Sequence, residues 1–226
     1  MKSVKISPIC VQKRKKSKMP QCLSIIILAA GLSSRMGDKN KLLLPFQGKT
    51  ILETTISNIL SANIGEVIVV VGHEAKKVRN KLKNYPLPLE SGCSISIIEN
   101  VDFQKGMTTS IQKGILAAAN TEGYMICLSD MVLIQPEEYR YLAQQFFDFH
   151  KNDEKVIVQP IFKEKRGNPV IFSSFYKKNI LETTNTEGCR SVVQAHKKHV
   201  KLVEMPTNHV LQDVDIQADY KHLLSL

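Results

Sequence analysis

The sequence predicts an α/β chain with a doubly wound, largely parallel sheet in a single domain, and three observations carry that reading. Short runs rich in β-branched and apolar residues recur along the chain, at Ile25–Leu28, Glu66–Gly72, Ser94–Glu99, Tyr124–Leu128, Val156–Pro160 and Val200–Met205. Their apolar residues run on rather than alternate, as in strands covered on both faces. The stretches between them carry apolar residues at helical spacing, as at Ile51, Leu52, Thr55, Ile56, Ile59 and Leu60. Strands alternating with helices build parallel crossovers, and 226 residues supply a core of one-domain size.

Charge and cysteine content narrow the class. The chain carries 31 Lys and Arg against 21 Asp and Glu, a net charge of +10. Seven of those cations lie in the first 21 residues, which hold no acid, leaving 24 against 21, a net of +3, for the rest. Residues 1–21 therefore read as a basic, solvated, disordered arm, and residues 22–226 as the folded unit. The arm lacks aromatics, and no nucleic-acid-binding motif follows it, so no nucleic-acid partner is expected. It has no apolar segment of signal-peptide type, and no run approaches the roughly 20 apolar residues that span a bilayer. The five cysteines (Cys10, Cys22, Cys93, Cys127 and Cys189) form an odd, scattered set without C-x-x-C. That suits a reducing cytoplasm and neither a disulfide framework nor a zinc site.

Taken in order, the first strand ends at Ala29-Ala30-Gly31 and opens into a small, polar, basic loop with Ser33, Ser34, Arg35, Gly37, Lys39 and Lys41. Backbone amides free of bulk, followed by fixed cations, suit a polyphosphate. A P-loop places four residues between its glycines and ends in Gly-Lys-Ser/Thr; here Gly31 and Gly37 are separated by five, and G-x-G-x-x-G is also absent. Pro45–Lys49 reads as a turn, and Thr50 as the N-cap of the helix after it. The second strand ends at Gly72. His73 and Glu74 read as loop residues, with a helix running through Lys83. Pro86–Gly92 is a loop, and the third strand closes at Asn100. Gly106-Met107-Thr108-Thr109-Ser110 then places a glycine hinge and hydroxyls at the start of a helix through Ala119. Such a start either caps the helix or holds a phosphate or base edge with its free amides. Asp130 follows the fourth strand, where open α/β sheets bind ligands. Pro136, Glu137 and Glu138 suit a helix start, with Leu142, Gln145, Phe146 and Phe149 as its apolar stripe and a charged linker from His150 to Lys155. Arg166–Val170 reads as a turn. Thr186–Ser191 opens a helix in which Arg190 is either a surface cation or a phosphate clamp. Asp213 and Asp215, two apart on an extended segment, face one side, and Asp219 caps the final helix.

The string L-A-A-G-L-S-S-R-M-G (Leu28–Gly37), followed by Lys41-Leu42-Leu43, resembles the nucleotidyltransferases of the molybdenum cofactor guanylyltransferase and cytidylyltransferase family. The resemblance extends over about residues 23–223. Gly106–Ser110 is similar to the family's G-M-S-S-S-L, Gly167-Asn168-Pro169 to its G-H/N-P, Gly188-Cys189-Arg190 to its G-A/C-R and Asp213–Tyr220 to its D-I-D-T-P-E-D-Y. Val132 stands where the family has proline, and the threonine and proline of the last motif are missing. The resemblance implies a Rossmann-like sheet of nucleotidyltransferase type, with the nucleotide half at about 22–150 and the acceptor half at about 151–226. It implies attack of an acceptor phosphate on the α-phosphorus of a nucleoside triphosphate, with Mg²⁺ as cofactor and no covalent intermediate. Leu28, Ala29, Ala30, Gly31, Arg35, Lys41, Gly72, Gly106, Thr108, Thr109 and Ser110 would bind the nucleotide, with Arg35, Lys41 and Asp130 catalytic and Lys39 a weaker candidate. Asp130 would hold the metal with Asp215, favoured over Asp213. Asn168 and Arg190 would meet the acceptor. Ala30 points to CTP, and the family points to molybdopterin or its molybdenum form as acceptor, with a molybdoenzyme or its maturation factors as partners. Transfer to another phosphate acceptor, and a non-catalytic carrier of the finished cofactor, are the competing readings.

Overall fold

The computed structural model describes residues 22–37, 40–83 and 94–225. The basic arm, Lys39 and the loop at 86–92 lie outside the described residues. The strands are β1 (Leu23–Ala29), β2 (Pro45–Phe46), β3 (Lys49–Thr50), β4 (Gly65–Val71), β5 (Ile95–Glu99), β6 (Gly123–Leu128), β7 (Ile157–Phe162), β8 (Lys165–Arg166), β9 (Val170–Ser173) and β10 (Val200–Glu204). The helices are α1 (Ile51–Ala62), α2 (Ala75–Lys83), α3 (Met107–Ala117), α4 (Pro136–His150), α5 (Lys177–Glu182), α6 (Arg190–Ala195) and α7 (Gln217–Leu223).

The main sheet runs β10-β7-β9-β6-β1-β4-β5, with β8 paired to β7, while β2 and β3 form a separate ribbon across the predicted turn. β6, β1, β4 and β5 are mutually parallel, so Leu128, Ala29, Val71 and Glu99 end together along one edge. β10 is parallel to β7. β9 was not foreseen: it lies antiparallel between β6 and β7 and joins the two halves of the chain in one sheet. The segment Ser174–Glu182, a 3₁₀ turn and α5, also carried no element in the sequence reading.

Alternation within the strands sorts the helices. Leu23, Ile25 and Ile27 of β1 and Val67, Val69 and Val71 of β4 pack in one buried cluster with residues of α1, α2, α4 and α7. Ile26, Ile68, Val70 and Ile126 face the other way, into a cluster with residues of α3, α5 and α6. The sheet is thus covered on both faces, which explains why its strands read as unbroken apolar runs.

Local signals explain the helix starts. Thr50 Oγ1 accepts from Glu53 N–H at 3.2 Å while Glu53 Oε2 accepts from Thr50 N–H at 2.7 Å, a reciprocal capping box. Asp219 accepts from the amides of Asp215 and Ile216, so it fixes the start of α7, as expected. The stripe of α4 is set differently from the prediction. Tyr139, Leu142, Ala143, Phe146 and Phe147 are buried, whereas Gln145 and Phe149 are half-exposed. With aromatic residues on several sides, spacing fixes the period but not the phase.

Candidate active site

The loop after β1 turns on Ser33, whose φ of 53° lies in the left-handed region. Ser33 Oγ accepts from Lys41 N–H at 3.3 Å, closing the loop on the short 3₁₀ helix Lys41–Leu43. Asn40 caps that helix by accepting from Leu42 N–H at 3.1 Å. These contacts send the Lys41 side chain under the sheet edge, toward the end of β6. There its Nζ donates to Asp130 Oδ2 at 2.5 Å and to Asp215 Oδ1 at 2.9 Å. Arg35 Nη1 donates to the other oxygen of Asp215 at 2.8 Å. Asp130, Asp213 and Asp215 each offer an oxygen within 4.8 Å of the others. Residues 89 and 174 apart from Lys41 in sequence thus share one ammonium.

Three carboxylates face two cations, and their protonation reflects that imbalance. Burial works against the charged Lys41, but Asp130 and Asp215 outweigh it and raise its pKa above the ordinary value. Burial, then the charges of Asp130 and Asp215, hold the Asp213 carboxyl above the usual range. The hydrogen bond from Lys41 holds Asp215 below it. Asp130 is 6% exposed, and its Oδ1 has no hydrogen-bond partner among the described residues. A buried carboxylate oxygen left open beside two further carboxylates is a hard-oxygen donor set, and it fits a Mg²⁺-like cation.

These groups line a cavity of about 300 Å³, with Leu28, Ala30 and Gly31 at the end of β1 and Phe103, Met107 and Ser110 at the start of α3. Arg35 is mostly exposed and reaches the acids from outside. Ala29 is packed in the core and does not line the cavity. Gly72 answers to close approach, since an added Cβ would lie 2.7 Å from Phe103 Cβ and 2.8 Å from Ala30 Cβ. Gly106 starts α3 with a φ of 109°, and an added Cβ would lie 2.7 Å from Thr186. The hydroxyls after it divide. Thr108 is turned to the 185–188 segment, accepting from Gly188 N–H at 3.0 Å, and Thr109 donates to Gly106 O at 2.9 Å; Ser110 lines the cavity. Lys39 lies outside the described residues.

A second cavity, of about 350 Å³, shares Met107 and Leu128 with the first. Asn168, Arg166 and Arg190 line it together with Gln159 and Gln194 over an apolar floor that includes Ile126 and Phe172. Asn168 is held by its N–H donating to Val210 O at 3.0 Å, next to a cis Asn168–Pro169 bond. Arg190 pairs with Glu187 at 3.5 Å, both side chains mostly exposed. Arg166 donates to the neutral Gln159 at 3.3 Å. Sequence reasoning placed Asn168 and Arg190 on the acceptor side but gave no role to Arg166, Gln159, Phe103 or Asn100. No element of the described residues is a helix long and apolar enough to cross a membrane.

Residues 25–200 match the MobA-like NTP transferase domain. The chain is 27% identical to the molybdenum cofactor cytidylyltransferase of Escherichia coli (strain K12), over 88% of this chain and 93% of that protein. It is 31% identical to a probable molybdenum cofactor guanylyltransferase of Methanosarcina acetivorans, over 75% of this chain and 71% of that protein. Among solved structures, Rv0371c from Mycobacterium tuberculosis H37Rv superposes with a TM-score of 0.74 at 22% identity, covering 91% of this chain and 98% of that one. With most of its length matched and the acids gathered at the strand ends, the chain belongs to the MobA-like NTP transferase family and is a nucleotidyltransferase.

Proposed function

We propose that this nucleotidyltransferase moves a cytidylyl group from CTP, with Mg²⁺, to the phosphate of molybdopterin or of its molybdenum form, releasing pyrophosphate. The observation that carries the reading is the contact of Lys41 with Asp130 and Asp215 on the wall of one cavity that adjoins a second, arginine-lined one. The similarity to the cytidylyltransferase and the alanine at position 30 support CTP over GTP.

In this reading Lys41 and Arg35 hold the triphosphate, and Asp130 and Asp215 hold the metal with Asp213 beside them. Bound Mg²⁺ supplies charge neutralisation at the phosphates. The acceptor lies in the second cavity with its phosphate toward the shared wall, near Asn168 and Arg190. One of its oxygens forms a bond to the α-phosphorus as the bond from that phosphorus to the bridging oxygen breaks, and the bridging oxygen leaves with the electron pair on pyrophosphate. A phosphate monoester is largely dianionic at neutral pH, so no protein base has to remove a proton. What the chain supplies is alignment and fixed positive charge, which is where catalysis of such transfers resides.

The test is pyrophosphate release by the full chain with Mg²⁺, molybdenum cofactor and each of the four NTPs in turn. Release with CTP above the others is expected. Release with CTP only when a different phosphate ester is supplied would overturn the acceptor, and no release with any NTP would favour a carrier.

A further inference from the structure

We infer that Glu138 is a positioning residue: its buried carboxylate joins the two separate segments that carry the acids, the 130–135 loop and the 207–215 segment, and so sets the spacing of Asp130 from Asp213 and Asp215. The inference rests on those acids holding a divalent cation and concerns what holds them together.

Three carboxylates close together repel one another. Lys41 bridges two of them at their tips, but the backbones that carry them need a tie of their own. Glu138 lies on the first turn of α4 and is 6% exposed. Its Oε2 accepts from Gln135 N–H at 2.9 Å, which closes the loop that begins at Asp130. The same oxygen lies 2.8 Å from His209 Nδ1, and since an ionised carboxylate can only accept, Nδ1 carries the proton. Oε1 accepts from the Thr207 hydroxyl at 2.6 Å, and Thr207 Oγ1 in turn accepts from His209 N–H at 3.3 Å. One buried side chain thus ends the first segment and begins the second.

What His209 fixes runs in two directions. Its carbonyl accepts at 3.1 Å from the amide of Gln212, the residue before Asp213. The carbonyl of its neighbour Val210 accepts from Asn168 N–H at 3.0 Å, on the wall of the second cavity. The fit there is close, since a Cβ added at Gly167 would lie 2.3 Å from Val210 O. The Asp130 loop has a further tie, as Asn58 Nδ2 donates to Val132 O at 3.2 Å and to Ile134 O at 3.0 Å. A helix cap needs only the bond from Gln135 to Glu138. The bonds to Thr207 and His209 add nothing to α4 itself; they hold the second segment against the first.

The experiment is calorimetric titration of the full chain with Mg²⁺ alone, beside turnover measured against Mg²⁺ concentration, with circular dichroism as the check on folding. The variants are Glu138→Ala, Glu138→Gln, His209→Ala and His209→Asn. Thr121→Val is the control, since it removes a hydroxyl that donates to Cys22 O at 2.8 Å, next to the opposite end of β6. Glu138→Ala and His209→Ala should bind Mg²⁺ about tenfold more weakly and turn over about 10²-fold more slowly. Glutamine keeps an oxygen for Gln135 N–H and His209 Nδ1–H, and asparagine supplies an N–H in place of that of the imidazole. Both conservative variants should therefore stay within about threefold of the wild type in Mg²⁺ affinity. Thr121→Val should melt lower than the wild type yet bind Mg²⁺ as it does. If Glu138→Ala fails to fold, the two His209 variants decide the matter. Unchanged Mg²⁺ affinity in the folded alanine variants, a loss as large in Glu138→Gln and His209→Asn, or the same loss in Thr121→Val overturns the inference and leaves the metal site standing. A wild-type chain that does not bind Mg²⁺ refutes the metal site and the inference with it.

Discussion

Replacing Lys41 with alanine separates its structural role from the catalytic one proposed for it. The ammonium sits between Asp130 and Asp215, with Lys41 and Asp130 side chains only 15% and 9% exposed. Removing one partner of a buried pair leaves an uncompensated charge, at about 3–5 kcal/mol. The Asp215 side chain is 41% exposed, so its share of the pairing is screened and adds less than about 1 kcal/mol. Because the site borders a cavity that water can enter, we expect the low end, about 3 kcal/mol. At about 2–4 °C per kcal/mol for a chain of this size, that lowers the melting temperature by about 6–12 °C. The three carboxylates left behind are a better cation site than in the wild type, where the ammonium competes. If the variant binds Mg²⁺ with a dissociation constant of about 1 mM, 10 mM Mg²⁺ restores about 1.4 kcal/mol. Calorimetric melting of both proteins with and without Mg²⁺ reads this directly. Turnover should stay low even with Mg²⁺, by a factor of about 10²–10³, since in the proposed reading the positive charge lost is one aimed at the reacting phosphates. Equal Mg²⁺ shifts in both proteins, or a melting temperature within about 2 °C of the wild type without Mg²⁺, would refute the reasoning.

Three further outcomes follow from the same geometry. Asp130→Ala should abolish turnover in a folded protein, Asp215→Asn should be milder because an amide oxygen still coordinates Mg²⁺, and Asp213→Asn milder again; kinetics against Mg²⁺ concentration rank them, and an Asp213 effect larger than that of Asp215 reverses their order as ligands. Deleting residues 1–19, which carry none of the motifs, should leave turnover nearly unchanged, and a large loss in a steady-state assay would contradict the solvated-arm reading. Burial pushes the Asp153 carboxyl up, but hydrogen bonds from His199 and the Lys155 amide outweigh it and leave the pKa lowered. The stabilisation is therefore present above the unfolded carboxylate value of about 3.9 and lost as pH falls through the lower folded value, so Asp153→Asn should cost about 0.5–1 kcal/mol in urea melts at pH 5 and visibly less at pH 3.

Much of the local structure around β1 was legible because its signals are local. The run Ile25–Leu28, the small and basic loop after it and the Thr50–Glu53 capping pair each report their structure within a few residues. Asp130 was legible for the same reason, as an acid directly after a buried strand. What stayed hidden depends on contacts far apart in the chain. Nothing near Lys41 announces that its ammonium will reach Asp130 and Asp215. Thr108 and Ser110 look alike in sequence, yet one turns to the 185–188 segment and the other to the cavity, as their places on the first turns of α3 dictate. β9 is only four residues long, Val170–Ser173, directly after the Asn168–Pro169 turn. Its apolar run could have marked a strand, but its antiparallel insertion between β6 and β7 is decided by the sheet. Arg166 became a candidate only once β7 and β8 had paired and placed it beside Gln159.

The position of the shared wall argues for where the two substrates would meet. Leu128 belongs to both cavities and is the last residue of β6, two residues before Asp130. Met107, the other shared residue, is the first residue of α3, whose amide donates to Thr186 O at 3.0 Å and so ties the nucleotide wall to the arginine-bearing segment. An acceptor lying over Ile126 and Phe172 would reach the carboxylate cluster past Leu128, which both cavities share. A triphosphate held by Lys41 and Arg35 has to lie against the same cluster from the β1 side. The two would then approach the β6 end from its two sides, and an in-line displacement needs its entering and leaving oxygens on opposite sides of the phosphorus. Five charged groups at that point, three acids and two cations, leave the empty site with a net negative charge that repels a bare triphosphate. Nucleotide and divalent cation should accordingly strengthen each other's binding, by the same factor in either order of addition.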